Sequence, residues 1–305
     1  MASPTIPIHP IEVRSVLVAT DLTESADQAL LHAIAIARHY RSILYVVHVI
    51  SALGFTLAGP DAIELAAEAS QRDLDFLVNQ LAVSGKLSGV EVRPVILKGN
   101  VDIQIESFVR DHKVDLIVAG THGRQGMARV FCGSIAQLIA KHCSCPVLTV
   151  GPHSPGPWLD NPSDSEKPLL FATAFNHASA KAMPYAVSLA NDFERQLFVM
   201  HVLPPRRTHL AMDDNPAHDD NEASVTAHLN EIVPSGACLG RRTNILVESC
   251  DPAAGILRAA KRIGAATIVM GAHQDSLSDL AIRFPWSIFN RVNREAACPV
   301  LTVRG

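Results

Sequence analysis

The chain has 305 residues, of which 48% are hydrophobic and 18% charged, with a formal net charge of −4. Its length predicts about two domains, and the lack of a basic excess argues against a nucleic-acid partner. No apolar run reaches the roughly 18 residues that a membrane-spanning helix needs.

Six cysteines are scattered through the chain, which points to reduced thiols rather than a disulfide framework. The first 15 residues (MASPTIPIHPIEVRS) hold no apolar signal core, so a cytoplasmic location is expected.

In chain order, Ser15–Thr20 (SVLVAT) reads as a buried strand with Asp21 at its carboxyl end. Thr23 or Ser25 is placed to cap a helix running to Tyr40, with Ala29, Leu30, Ala33, Ile34 and Ala37 as its apolar face. Ile43–Ile50 is a second strand, and Asp61–Val83 a long helix, polar on one side. Val90–Leu97 is a third strand, followed by a Gly99-Asn100 turn and a helix over Asp102–His112. Val114–Ala119 (VDLIVA) is a fourth strand, Ser134–His142 a helix and Val147–Val150 a fifth strand. Such alternation predicts a mostly parallel sheet with helices on both faces. Ligands of such sheets bind beyond the carboxyl ends of the strands. Asp21, Val49, Gly99 and Gly120 all fall there.

The chain repeats itself. Cys145–Val150 and Cys298–Val303 both read CPVLTV, 153 residues apart (298 − 145). At the same offset Ala19-Thr20 matches Ala172-Thr173, His48-Val49 matches His201-Val202, and Ser134-Ile135 matches Ser287-Ile288. The predicted architecture is therefore two tandem doubly wound α/β domains of five strands each, over 1–152 and 168–305. The linker falls at 153–167, in a stretch rich in proline, glycine and serine.

Between the fourth strand and the next helix runs GTHGRQGMARVFCGS, Gly120 to Ser134. Glycines admit close backbone approach, and a helix start offers N–H groups and the positive end of its dipole, so a phosphate suits this loop. The loop is neither a Walker A sequence nor G-x-G-x-x-G. An ordinary strand-to-helix turn is the alternative reading of these glycines, and a helix cap or a solvated loop acid the alternative for Asp21.

The spacing of Gly120, Gly123, Gly133 and Ser134, G-x2-G-x9-G-[ST], resembles the ATP-binding signature of the universal stress protein family. The likeness extends over nearly the whole chain, twice. It implies a Rossmann-like fold and ATP, with Mg2+, as ligand. Asp21 would face the adenine and ribose end, the Val49 backbone would pair with the adenine, and Gly99 would lie near the ribose. Gly120, Gly123, Gly133 and Ser134 would cradle the phosphates, with His122, Arg124 and Thr20 as further polar contacts. The resemblance also implies pairing of two domains through their last strands, here the two CPVLTV segments. A homodimer and an unidentified protein partner are further expected associations.

The second half departs from this pattern. Ala174 stands at the place of Asp21, Gln274 at the second glycine and Trp286 at Gly133, while Gly271 and Ser287 are kept. Nucleotide binding is thus expected in the first half alone. Two rival functions are a slow ATPase or self-phosphorylating enzyme using Ser134 or Thr121, and a scaffold that binds no nucleotide.

No catalytic triad or paired carboxylates are legible. His142, Cys143 and Cys145 lie close together, but no second cluster converges on them, and packing or turn roles are the better reading. The acidic stretch Met212–Glu222 reads as a solvated loop. His48 and His201 read as core or strand-end histidines.

Overall fold

The structure is a computed structural model. It describes residues 11–23, 27–51, 60–121, 134–152, 154–157, 166–203, 222–232, 243–272 and 285–305. The first half comprises β1 (Ser15–Ala19), α1 (Asp27–Tyr40), β2 (Ile43–Ile50), α2 (Pro60–Val83), β3 (Glu91–Lys98), α3 (Val101–His112), β4 (Leu116–Gly120), α4 (Ser134–His142) and β5 (Val147–Val150). The second half comprises β6 (Leu169–Ala172), α5 (His177–Asp192), β7 (Leu197–Leu203), α6 (Glu222–Ile232), β8 (Asn244–Ser249), α7 (Pro252–Ile263), β9 (Thr267–Ala272), α8 (Pro285–Glu295) and β10 (Val300–Arg304).

Several boundaries differ from the expected ones by one or two residues, and two of these shifts have a clear physical reason. β4 starts at Leu116 rather than Val114, because the Asp115 carboxylate accepts the Arg14 and Ser15 N–H groups, each at 2.9 Å. That bracket ties the start of β4 to the start of β1. β1 stops at Ala19 because the Thr20 hydroxyl oxygen accepts the Leu22 N–H at 3.0 Å, turning the chain out of the sheet.

The ten strands form one sheet in the order β3-β2-β1-β4-β5-β10-β9-β6-β7-β8. Neighbours within each half are parallel. β5 and β10 run antiparallel, with Val300 opposite Thr149, Leu301 opposite Leu148 and Thr302 opposite Val147. Parallel strands covered on both faces read as unbroken apolar runs, as VLVA and LIVA do here.

Successive side chains point to opposite faces. Val16, Val18, Val46 and Val118 share a cluster with Phe171, Val199 and Val269 of the second half, under α1 and α5. Leu17, Val47 and Ile117 face the other way, against Phe108 of α3, Ile139 of α4 and Phe289 of α8. Leu170, Met200 and Ile268 lie under α7 and α8. Helices α1 and α5 also meet at their C-terminal ends. The Tyr40 hydroxyl donates to Asp192 Oδ2 at 2.6 Å, and the His39 and Phe193 rings lie 4.1 Å apart between centroids. Among the described residues no helix is long and apolar enough to cross a membrane.

Candidate functional site: the crevice between β1 and β4

The chain builds outward from β1 to β3, then crosses back to β4 on the other side of β1. The strand order thus reverses between β1 and β4, where such sheets open a crevice at their carboxyl ends. Ala19 lies opposite Ala119 in the register, so Thr20-Asp21 and Gly120-Thr121 flank that crevice. Three rungs run one residue past the strands: Thr20 N–H to Val47 O at 2.9 Å, Gly99 N–H to Ile50 O at 2.9 Å and Thr121 N–H to Val150 O at 3.0 Å.

These rungs also orient β2. Alternate residues of a parallel strand address alternate neighbours. Ile50 addresses β3 and Val47 addresses β1, so Val49 points its N–H and C=O toward the β1 side, where β1 has ended. That aims backbone polar groups into the crevice, and such groups require partners when enclosed.

The β1 turn is held from several directions. Leu22 adopts φ +60°, a left-handed conformation uncommon outside glycine, and is fixed there by the Thr20 hydroxyl. Asp21 Oδ1 accepts the Thr23 N–H at 3.1 Å and the Thr23 hydroxyl at 2.5 Å. Asp21 is half-buried. Gly99 has φ +133°, which a side chain rarely adopts, and an added Cβ would come within 3.2 Å of Gln104 Nε2.

Thr20, Asp21, Val49, Gly99 and Gly120 therefore share one edge, and Ser134 opens α4. His122, Gly123, Arg124 and Gly133 lie outside the described residues. His48, which the sequence marks as a core or strand-end histidine, lies near the end of β2 with its Nδ1 2.9 Å from the Thr20 carbonyl oxygen. Its recurrence as His201 at the repeat offset was the available signal. An open apolar groove of about 820 Å³ between α1 and α2, lined by Leu31, Phe76, Leu77 and Leu81 among others, shares no residue with the crevice.

The other cluster singled out from the sequence is chemically quiet. Burial pushes the Cys143 and Cys298 thiols up to about 12 and raises Cys145 as well, which disfavours the reactive thiolate. Among the described residues no group of three or more His, Cys, Asp or Glu side chains is arranged to hold a metal ion.

The second half repeats the turn and changes its chemistry. Thr173 N–H reaches Met200 O at 2.8 Å, the Thr173 hydroxyl accepts Phe175 N–H at 3.1 Å, and Phe175 has φ +55°. Where Asp21 stands in the first half, Ala174 donates its N–H to Ser179 Oγ at 2.9 Å, and Asn176 Oδ1 caps α5 through Ser179 N–H at 2.9 Å. The start of α5 sits directly on Gly271, where a Cβ would lie 2.3 Å from the Ala178 carbonyl carbon. The Phe175 ring packs 4.4 Å from His201 and 4.7 Å from His228. Cys250 takes the place of Gly99, its N–H bonded to Leu203 O at 3.0 Å. Trp286 is the second residue of α8, and Gln274 lies outside the described residues.

Comparison with known proteins agrees with this fold. The model of the universal stress protein family matches residues 12–151 and again 166–304. A universal stress protein of Methanocaldococcus jannaschii is 29% identical over 138 residues, covering 45% of this chain and 81% of the relative. One from Thermus aquaticus is 30% identical over 138 residues, covering 45% of this chain and 98% of the relative. Among solved structures, a universal stress protein of Archaeoglobus fulgidus superposes with a TM-score of 0.69 at 17% identity, covering 96% of this chain and 99% of that one. Both halves of this chain belong to the universal stress protein family.

Proposed function

We propose that the chain is a nucleotide-dependent regulator that binds ATP with Mg2+ in its first half only. The observation that carries this reading is the crevice, where a carboxylate, an outward-addressing strand backbone and a glycine strand end meet at the point of strand reversal. The described residues suit the adenosine end of the ligand. Val49 offers a backbone donor and acceptor to the edge of a purine. Asp21 accepts from an amino group or ribose hydroxyls. Gly99 leaves room beside the ribose. By the family resemblance, Gly120, Gly123, Gly133, Ser134, His122 and Arg124 take the phosphates, as a helix start and loop amides do elsewhere. Bound Mg2+ supplies charge neutralisation on those phosphates.

In this reading residues 1–152 are the nucleotide domain, 153–167 the linker and 168–305 a degenerate domain that completes a pseudo-dimer. The antiparallel register of β5 and β10 supports such intramolecular pairing through CPVLTV. Occupancy of the crevice changes the surface around residues 120–134, which a protein partner reads in the cytoplasm.

The test is to denature freshly purified protein, separate the released small molecules by chromatography, and titrate the emptied protein with ATP and Mg2+. Close to one ATP per chain, lost in Asp21→Ala, is expected. ADP as the main product would favour turnover instead. No release and no binding on titration would overturn the proposal in favour of a scaffold.

A further inference from the structure

The β1–β2 ladder stops one rung early, and it does so in both halves. Its last rung is Thr20 N–H to Val47 O. The next rung of a parallel ladder would run from Val49 N–H to the Thr20 carbonyl. At that carbonyl the structure holds the His48 ring instead, Nδ1 to O at 2.9 Å. A carbonyl only accepts, so the proton sits on Nδ1. The second half repeats the device: Thr173 N–H bonds Met200 O at 2.8 Å, and His201 Nδ1 lies 2.8 Å from Thr173 O.

We propose that His48 is a positioning residue for the nucleotide site: by engaging the Thr20 carbonyl it keeps the ladder from closing over Val49 and leaves the Val49 N–H directed at a purine edge. This deepens the proposed function and rests on it for the identity of the ligand. The geometry accounts for the choice of residue. The imidazole is attached one residue before Val49, opposite Thr20, and it is rigid enough to hold one bond. The same bond anchors the turn whose next residue is Asp21. His48 therefore fixes two ligand-facing groups at once, on β1 and on β2. In the second half the clamp survives without a site to serve, because Ala174 has replaced the acid and α5 packs on Gly271. His201 is thus a matched control, with the same bond and no ligand role.

The experiment uses the full chain with His48→Val, His48→Gln and His201→Val. ATP with Mg2+ is titrated by calorimetry, and amide hydrogen exchange is measured at Val49 and Val202 without nucleotide. His48→Val should weaken ATP about tenfold and slow exchange at Val49 as the extra rung forms. His48→Gln, whose amide N–H can still reach Thr20 O, should keep most of the affinity. His201→Val should leave ATP binding unchanged while slowing Val202. Wild-type affinity in His48→Val, or equal exchange at Val49 with and without the imidazole, would overturn the proposal. If wild-type protein bound no ATP, the functional reading would fail, and the exchange at Val49 and Val202 would still decide the role of the clamp.

Discussion

The two halves carry the same turn and do opposite things with it. After β1 and after β6 a threonine hydroxyl holds a residue in the left-handed region, Leu22 in one and Phe175 in the other. A histidine from the neighbouring strand clamps the threonine carbonyl in both. The first half places a carboxylate on the turn. The second places a methyl group, caps the next helix tightly with Asn176 and seats that helix on Gly271. The same turn and clamp thus carry a carboxylate in one half and a methyl group in the other, and in both they secure the sheet.

The largest effect is expected where α5 meets Gly271. Gly271→Ala forces a Cβ to within 2.3 Å of the Ala178 carbonyl carbon, backbone that cannot swing aside. A loss of about 3 kcal/mol is expected, the upper end of ordinary overpacking penalties, seen as a lowered urea midpoint. A midpoint equal to wild type would mean that α5 is not seated on β9, and the contrast between the halves would lose its basis.

The second effect concerns binding. Asp21→Ala should weaken ATP about 10- to 100-fold, since hydrogen bonds to charged groups contribute about 1.5–3 kcal/mol. The reciprocal change, Ala174→Asp, should create no second site, because Phe175 and α5 still fill that end of the sheet. Two ATP per chain in Ala174→Asp would show that the missing acid alone silenced the second half.

Much of this fold was legible because strands buried on both faces must be apolar throughout, and the recurrence of CPVLTV exposed the repeat. Asp21 and Gly120 could be placed at strand ends from pattern alone. The reason Gly271 is glycine could not. It lies in a contact with α5, nearly a hundred residues away in sequence, and a glycine needed for close approach reads the same as one needed for a turn. His48 reads as a core or strand-end histidine and lies near the end of β2, but its bond was hidden for a similar reason. Its partner is a backbone carbonyl on another strand, and side-chain alternation carries no trace of that bond. Asp115 belongs with it: inside VDLIVA it looks like part of the strand, and only the Arg14 and Ser15 amides explain it.

A third, smaller effect separates Gly99 from Cys250. Both follow a strand and donate an N–H to the neighbouring strand, but only Gly99 holds a left-handed φ, +133°. Gly99→Ala should cost about 1–2 kcal/mol from backbone strain and weaken ATP in proportion. Cys250→Ala, which asks nothing new of the backbone, should cost less and leave ATP binding unchanged. Equal losses of stability in thermal unfolding would mean that the two turns are the same.

The smallest effect tests whether the halves act as one body. Burial lowers His39 below its ordinary 6.5, with Asp192 pulling partly the other way. The groups facing it are Tyr40 on its own helix and Asp192 and Phe193 at the end of α5. A folded-state value below the unfolded one means that the unfolded chain binds more protons in the interval between them. This contribution to stability is therefore fully present above pH 6.5 and is lost as the pH falls from there through the folded value. His39→Phe keeps a ring against Phe193 and removes the titration, so the slope of stability against pH below 6.5 should flatten. Tyr40→Phe removes the 2.6 Å bond to Asp192 and should lower stability by about 1 kcal/mol, with the His39 slope retained. If neither variant changed urea unfolding between pH 5 and 8, contact between α1 and α5 would contribute nothing measurable. The antiparallel β5–β10 rungs and the core shared under α1 and α5 would then be left as the tie between the halves.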